Sequence, residues 1–302
     1  MTHNTLLDGK YLILDKLGQG AYGEVFLTRH TGLGVCRAVK RIRKSQDIHN
    51  TRRHEADALK ALRHASLPII YDIDEDDVYF YIVEEYIEKK HKYLIGGDIF
   101  VYNGKVILWG LLNCHRDSSV NPLVPVGKSY PLLLDEQDKL EVENTLQSMV
   151  DKLGIRFGSV NVELVVDKMG KVWPIDVGPR AGGNMIPDLL GLIFDVDVVE
   201  MAVLTAMGEE INNEVHDGIP FYATHNLHTS QTGLYKTIDF SKELDEKIIK
   251  KCLYKKSGDC VEYFDNAAKA LGIIFMKFKT KDEMETILEN INMHYKVLLE
   301  EK

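Results

Sequence analysis

Cysteine is scarce in this sequence, proline is sparse, and no long uncharged apolar run occurs. Each shortage excludes a class of protein. The four cysteines, Cys36, Cys114, Cys252 and Cys260, stand far apart without C-x-x-C spacing, as expected of reduced, buried thiols in a cytoplasmic protein. The N-terminus, Met1-Thr2-His3-Asn4, has no apolar signal core. The most apolar window, Leu189 to Met207, is broken by Asp195, Asp197 and Glu200, charges that a bilayer core tolerates only at high cost, so no membrane span is expected. Basic residues are scattered apart from short runs such as Lys40 to Lys44, and the net charge is -9, which argues against nucleic acid and other polyanions as partners. Low-complexity segments and internal repeats are also absent. What is present, 45% hydrophobic and 27% charged residues over 302 positions, is the composition of a soluble globular protein with one large core or two smaller ones.

The chain turns on Tyr81 to Glu88, an apolar strand that becomes acidic at its end. Such a strand running into a short connector offers backbone N–H and C=O to the edge of an adenine ring, so Glu84, Glu85, Tyr86 and Ile87 form the expected nucleotide hinge. Ahead of it, the strand-like runs Tyr11 to Leu17 and Val25 to His30 flank Gly18-Gln19-Gly20-Ala21-Tyr22-Gly23-Glu24-Val25, which puts the glycines in a hairpin turn. A dinucleotide site would require a helix at that point. A strand ending in Ala38-Val39-Lys40 follows, then a helical stretch from Arg52 to His64 with Glu55, Leu59 and Leu62 on one face. Gly18, Gly20, Gly23 and Val25, followed by Ala38 and Lys40, resemble the G-x-G-x-x-G-x-V loop and A-x-K strand of the protein kinase N-lobe over about residues 1–88. The resemblance implies that Lys40 holds the α- and β-phosphates of ATP and pairs with Glu55, while the glycines let backbone approach the phosphates.

A kinase should then supply H-R-D-x-x-x-x-N, D-F-G and A-P-E. His115-Arg116-Asp117 imitates the first, but Asn121 follows the aspartate by four residues rather than five, and Pro122 stands where the asparagine belongs. Asp176-Val177-Gly178 lies 59 residues beyond Asp117, and A-P-E is missing. The H-R-D triplet is therefore read as a coincidence. The local pattern predicts instead a hairpin, Asp98 to Val101 and Lys105 to Trp109 around Asn103-Gly104, and a helix from Asp135 to Leu153 capped by Asp135 and Gly154. A second hairpin pairs Ser159–Val166 with Lys171–Asp176, so that Glu163 and Asp176 converge on one side. Two carboxylates are hard oxygen ligands suited to Mg²⁺ beside substrate phosphates. The loop Gly178-Pro179-Arg180-Ala181-Gly182-Gly183-Asn184 leads to Pro187 at a helix start and can surround an anion.

These residues resemble the ATP-grasp carboxylate ligases over about residues 84–300, with Glu163 and Asp176 at the metal-binding acids and Arg180 at the catalytic arginine. Gly178 replaces the usual asparagine ligand, and Asn161 and Asn184 are the alternative sources of an oxygen. The resemblance implies ATP and Mg²⁺, transfer of the γ-phosphate to a small carboxylate, and attack on the acyl phosphate by an amine. The remaining segments read as scaffold: Phe221 to His228, then Lys255 to Phe264, a short helix over Asp265 to Leu271, and a strand from Ile273 to Lys279. A closing helix starts at the Thr280-Lys281-Asp282-Glu283 capping box and carries Met284, Ile287, Leu288, Ile291 and Leu298 on one face. His225 and His228 read as structural histidines.

The expected class is α+β with a two-lobed ATP cleft, a kinase-like β-rich lobe (1–88) over an ATP-grasp-like antiparallel sheet and helix lobe (89–302). No substrate domain precedes Gly18, which implies a recombined chain, either a natural fusion or an engineered chimera. Three functions follow: an ATP-dependent carboxylate–amine ligase, a protein serine/threonine kinase, or an ATP-binding chimera without turnover.

Overall fold

β-branched and aromatic residues dominate the N-terminal part, and there they pair into a single sheet. The computed structural model describes residues 6–7, 9–20, 23–44, 67–212 and 214–300. Six strands, β1 (Leu6–Leu7), β2 (Tyr11–Gly20), β3 (Gly23–His30), β4 (Cys36–Arg43), β5 (Ile70–Glu75) and β6 (Tyr79–Glu85), form an antiparallel sheet of order β1-β2-β3-β4-β6-β5. Strand alternation gives the sheet two apolar faces. Leu7, Tyr11, Phe26, Val39, Tyr81 and Val83 cluster as one set, and Ile42, Phe80 and Ile82 as another. The glycines depart from expectation: Gly18, Gly20 and Gly23 are paired strand residues, because the ladder runs to Gly20 opposite Gly23. The turn between them, 21–22, and the helix expected over 52–64 with Glu55 lie outside the described residues.

Contacts divide the chain into one unit of residues 1–89 with 121–123 and a second of 90–120 with 124–302. The second unit is built on eight strands in the order β11-β10-β7-β8-β9-β12-β16-β14. Their ranges are β7 (Leu94–Tyr102), β8 (Lys105–Asp117), β9 (Asn121–Tyr130), β10 (Phe157–Val166), β11 (Val172–Gly178), β12 (Tyr222–Leu227), β14 (Ile248–Leu253) and β16 (Gly272–Lys277). The Asn103-Gly104 hairpin forms as expected, with Asn103 and Gly104 both at positive φ. Helix α1 (Glu136–Leu153) starts at Asp135, whose side chain accepts from Asp138 N, and ends at left-handed Gly154. It buries Val142, Leu146 and Val150 on one sheet face against Ile99, Leu111, Val162 and Leu164. The opposite face packs α2 (Ile186–Phe194) and α3 (Val198–Met207) onto Phe100, Leu108, Leu112 and Phe275. These two helices divide the apolar window, which breaks at left-handed Asp195 and restarts under the Asp197 cap. Among the described residues no helix is long and apolar enough to cross a membrane.

The C-terminal part departs further from the sequence reading. Helix α4 (Lys242–Asp245) is a single turn, α5 (Lys281–Glu289) is shorter than expected, and Leu298 lies on a strand rather than on that helix. The stop follows from Asn290 and Asn292, poor helix formers, and from Tyr295–Leu299 (β17) pairing with β13 (Gly233–Phe240). Strand β15 (Cys260–Val261) completes a small sheet of order β15-β13-β17. The Thr280 cap itself holds: Glu283 N donates to Thr280 Oγ1 at 3.2 Å, and Lys279 N donates to Glu283 Oε2 at 2.8 Å.

Asp117 ties this C-terminal sheet to the end of β8. Its Oδ2 accepts from His228 Nε2 at 3.0 Å and Asn292 Nδ2 at 2.5 Å, and its Oδ1 from Ser119 N and Oγ at 2.8 and 2.6 Å. Burial alone would raise the Asp117 pKa, but these hydrogen bonds outweigh it and hold the carboxyl below the usual range. A depressed folded-state pKa means that Asp117 stabilises the fold above its unfolded pKa, and that the stabilisation is lost as pH falls below about 4. Asp117→Asn is expected to lower stability by about 1–3 kcal/mol at pH 7 and to flatten the loss between pH 5 and pH 3. Urea unfolding across that range checks it; parallel pH profiles for wild type and variant would refute the assignment.

Candidate active site

In the N-terminal unit the register gathers most of the expected nucleotide residues into one strip. Gly18 pairs with Val25, Val25 with Lys40, and Lys40 with Ile82, while Ala38 pairs with Glu84. Directly opposed residues share a face, and alternation adds Ala38 and Glu84 to the face of Lys40. Glu24 projects to the other face, where Lys16 Nζ donates at 2.6 Å and Arg41 Nη2 at 2.5 Å. Glu85 ends β6, and Tyr86 and Ile87 follow it outside regular structure.

In the second unit Glu163 and Asp176 are direct partners across the β10–β11 ladder, so both carboxylates rise from the face that packs α2. The ladder slips immediately beyond them, where Leu164 pairs with Pro174 and Ile175 is the extra residue, 56% exposed. A bulge at that point sets the aim of the pair. Asp176 is exposed, and Glu163 accepts a bond from Arg116 on β8. Two such acids, one of them reachable from solvent, fit the donor chemistry of Mg²⁺, which takes one or two carboxylates.

The loop carrying Arg180 is fixed by a residue that the sequence reading placed only in a strand. Asp98, 1% exposed, accepts from Gly182 N and from Asn161 Nδ2, both at 2.8 Å. Burial pushes the Asp98 carboxyl up despite these bonds. Gly182 approaches so closely that a Cβ there would meet Asn161 Nδ2 and Asp98 Oδ1 at 2.7 Å, so glycine is required. Asn161 N donates to Arg180 O at 2.9 Å, and Asn184 and Met185 both take the left-handed conformation before α2. Asn161 therefore spends its amide nitrogen on Asp98 and Gly97, in a positioning task. Arg180 is exposed and lies over Gly178.

The H-R-D triplet lies on β8 and divides its tasks. Arg116 serves Glu163, Asp117 the C-terminal tie, and His115 is within 2.8 Å of Ser129 Oγ. Burial, then Lys128 and Lys92, push His115 down to about 3, so the ring is neutral. Burial also drives His225 well below the usual range. Neither His225 nor His228 belongs to a group of metal-competent side chains; among the described residues that spacing occurs at His91, Asp135 and Asp138. There Lys90 Nζ lies 2.8 Å from Asp138 and 3.0 Å from Asp135, so one cation already offsets part of their charge.

Comparison with known proteins separates the two parts of the chain. The protein kinase domain model matches residues 11–109. An uncharacterized protein, y4rH, of Sinorhizobium fredii is 38% identical over 84 residues, 28% of this chain and 17% of that protein, so the match spans a small part of this relative. Phosphoribosylglycinamide synthetase from Anaerococcus prevotii superposes with a TM-score of 0.62 at 22% identity, covering 87% of this chain and 70% of that one. L-amino acid ligase from Bacillus licheniformis gives 0.63 at 14% identity, covering 97% of this chain and 68% of that one. At these identities the likeness is one of fold, and the wider coverage takes in residues of both units. The chain thus carries a protein-kinase-like N-terminal part within an α+β fold that it shares with the ATP-grasp ligases.

Proposed function

We propose that the chain is an ATP- and Mg²⁺-dependent ligase-like enzyme acting on a small carboxylate and an amine. The observation that carries this reading is the direct opposition of Glu163 and Asp176, on a sheet face that also bears Arg116 and leads into the Arg180 loop. In this reading Lys40 contacts the α- and β-phosphates, with Glu55 as its partner, and Gly18, Gly20, Gly23, Val25 and Ala38 line the nucleotide. The backbone of Glu84, Glu85, Tyr86 and Ile87 meets the adenine. Glu163 and Asp176 would hold Mg²⁺, which would supply charge neutralisation for the phosphates. Arg180 offsets the charge on the transferred phosphoryl group. The substrate carboxylate is already ionised at neutral pH, so it attacks phosphorus without a base and ADP leaves. The amine then forms the new bond to carbon, with release of phosphate and a proton.

A protein kinase is the second reading, favoured by the family match over residues 11–109. It requires an aspartate free to accept a hydroxyl proton. Asp117 has both oxygens engaged and ends a strand, which weighs against that role.

Two outcomes follow. Lys40→Met is expected to weaken ATP binding, measured by calorimetry with Mg²⁺, by about 1–3 kcal/mol through loss of a charge-assisted contact; unchanged affinity removes Lys40 from the site. Glu163→Gln combined with Asp176→Asn is expected to abolish Mg²⁺-dependent ADP release across a panel of small carboxylates and amines. Phosphate transfer to protein hydroxyls that survives this double substitution would overturn the ligase reading.

A further inference from the structure

Helix α3 has more apolar surface than the sheet beneath it covers. Val198 and Met201 are buried in the core, while Val199, Val203 and Met207, spaced four residues apart, are 59%, 53% and 68% exposed. Residues at that spacing lie on one stripe, and Ala206 beside them is exposed as well. Glu200 is the only charged residue among the 10 of the helix. Single exposed apolar side chains are ordinary on a protein surface, but a continuous stripe of them marks a place where another surface docks.

The stripe opens at one end into a groove. Between α2 and the start of α3 lies a cavity of about 480 Å³, lined by Gly191, Val196 and Val198 together with Asp188, Asp195 and Asp197; Val199 belongs to both groove and stripe. Acids stand at both ends of the stripe, Asp195, Asp197 and Glu200 at its start and Glu209 and Glu210 beyond its end. Lys250 pairs with Asp188 at 2.9 Å, but none of those five has an ion-pair partner among the described residues. No lysine or arginine occurs from Ala181 to Tyr235. This charge decides among occupants. Two copies packing α3 on α3 antiparallel would set Asp195 and Asp197 of one against Glu209 and Glu210 of the other, a repulsion with nothing to offset it. An anionic membrane surface is repelled in the same way. The complementary occupant is a helix whose apolar stripe is flanked by lysine or arginine.

We propose that α3 and the groove beside it form a docking face for a basic amphipathic helix of a partner protein. The partner's apolar residues lie along Val199, Val203 and Met207, one lysine or arginine enters the groove between Asp188, Asp195 and Asp197, and a second basic group meets Glu209 and Glu210. Helix α3 spans about 15 Å, so the interface is small, of the kind that transient partners form. The acids set the rate and salt dependence of encounter, and the apolar stripe sets the lifetime of the complex. The docking face does not depend on the ligase reading and stands or falls apart from it.

The test titrates the full chain into two labelled synthetic peptides of about 18 residues, long enough to form amphipathic helices. One carries leucines at i, i+3, i+4 and i+7 with lysines elsewhere, and the other has glutamates in place of the lysines; fluorescence anisotropy reads binding at low and high salt. The lysine peptide is expected to bind wild type, more weakly as salt rises, and the glutamate peptide to show no binding. Val199→Ser with Val203→Ser should weaken binding about tenfold. Asp195→Asn with Glu209→Gln and Glu210→Gln should weaken it by a similar factor and flatten its salt dependence; asparagine tolerates the left-handed backbone at 195. Leu140→Ser, which removes an exposed apolar side chain from α1, should leave binding unchanged. These are surface substitutions, and thermal melting verifies that each variant is folded. No binding of the lysine peptide by wild type, or equal binding by wild type and both folded α3 variants, overturns the docking face. A concentration-dependent dimer in sedimentation that Val199→Ser with Val203→Ser abolishes would give the stripe to a second copy and likewise overturn it. Flotation of wild type, but not of that variant, on phosphatidylserine-containing vesicles would give it to a membrane, with the same result.

Discussion

Two like charges directly opposite one another on an antiparallel ladder repel, and the β10–β11 hairpin puts Glu163 against Asp176 in that arrangement. A cation two strands away on the same sheet face, Arg116 of β8, compensates the pair. Arg116 engages Glu163 on a partly buried face, where Coulomb attraction is less screened than at the surface, and Asp176 stays exposed to water. The result is a pair of opposed carboxylates, one held by Arg116 and the other open to water. In the proposed reading, a metal at this pair would compete with Arg116 for Glu163.

The same economy governs the Arg180 loop. A glycine-rich turn carries no side-chain packing of its own, and its geometry depends on bonds to its backbone. Asp98 supplies one through Gly182 N, and Asn161 N supplies another through Arg180 O. Both residues project from strands directly paired at Asn161 and Asp98, two rungs from Glu163 and Gly96. Glu163, Asp176 and the Arg180 loop thus share one ladder, and a register slip of a single residue would turn them away from the face they occupy.

Much of this was legible in the sequence because it depends on local patterns. The Asn103-Gly104 turn, the Asp135 and Gly154 caps and the Glu163–Asp176 hairpin follow from short-range chemistry, and the alignment of Val25 with Lys40 follows from a hairpin and its neighbouring strand. The C-terminal segment was less legible. Strand β17 exists because Tyr295–Leu299 finds β13 more than fifty residues away, and the heptad-like apolar spacing that included Leu298 carries no trace of that partner. Asp98 and Arg116 escaped as site residues for the same reason. Each sits in an apolar or mixed strand, and only the order β10-β7-β8 brings them to the acids.

The departure at Gly178 then acquires a physical sense. At Gly178 the Arg180 side chain occupies the adjoining space, with Cγ 3.6 Å and Nε 3.7 Å from where a Cβ would stand. Asn161 holds Asp98 through its amide nitrogen, which leaves its amide oxygen outside that tie. In the proposed ligase reading, the lack of an asparagine at position 178 leaves more of the charge neutralisation to Arg180.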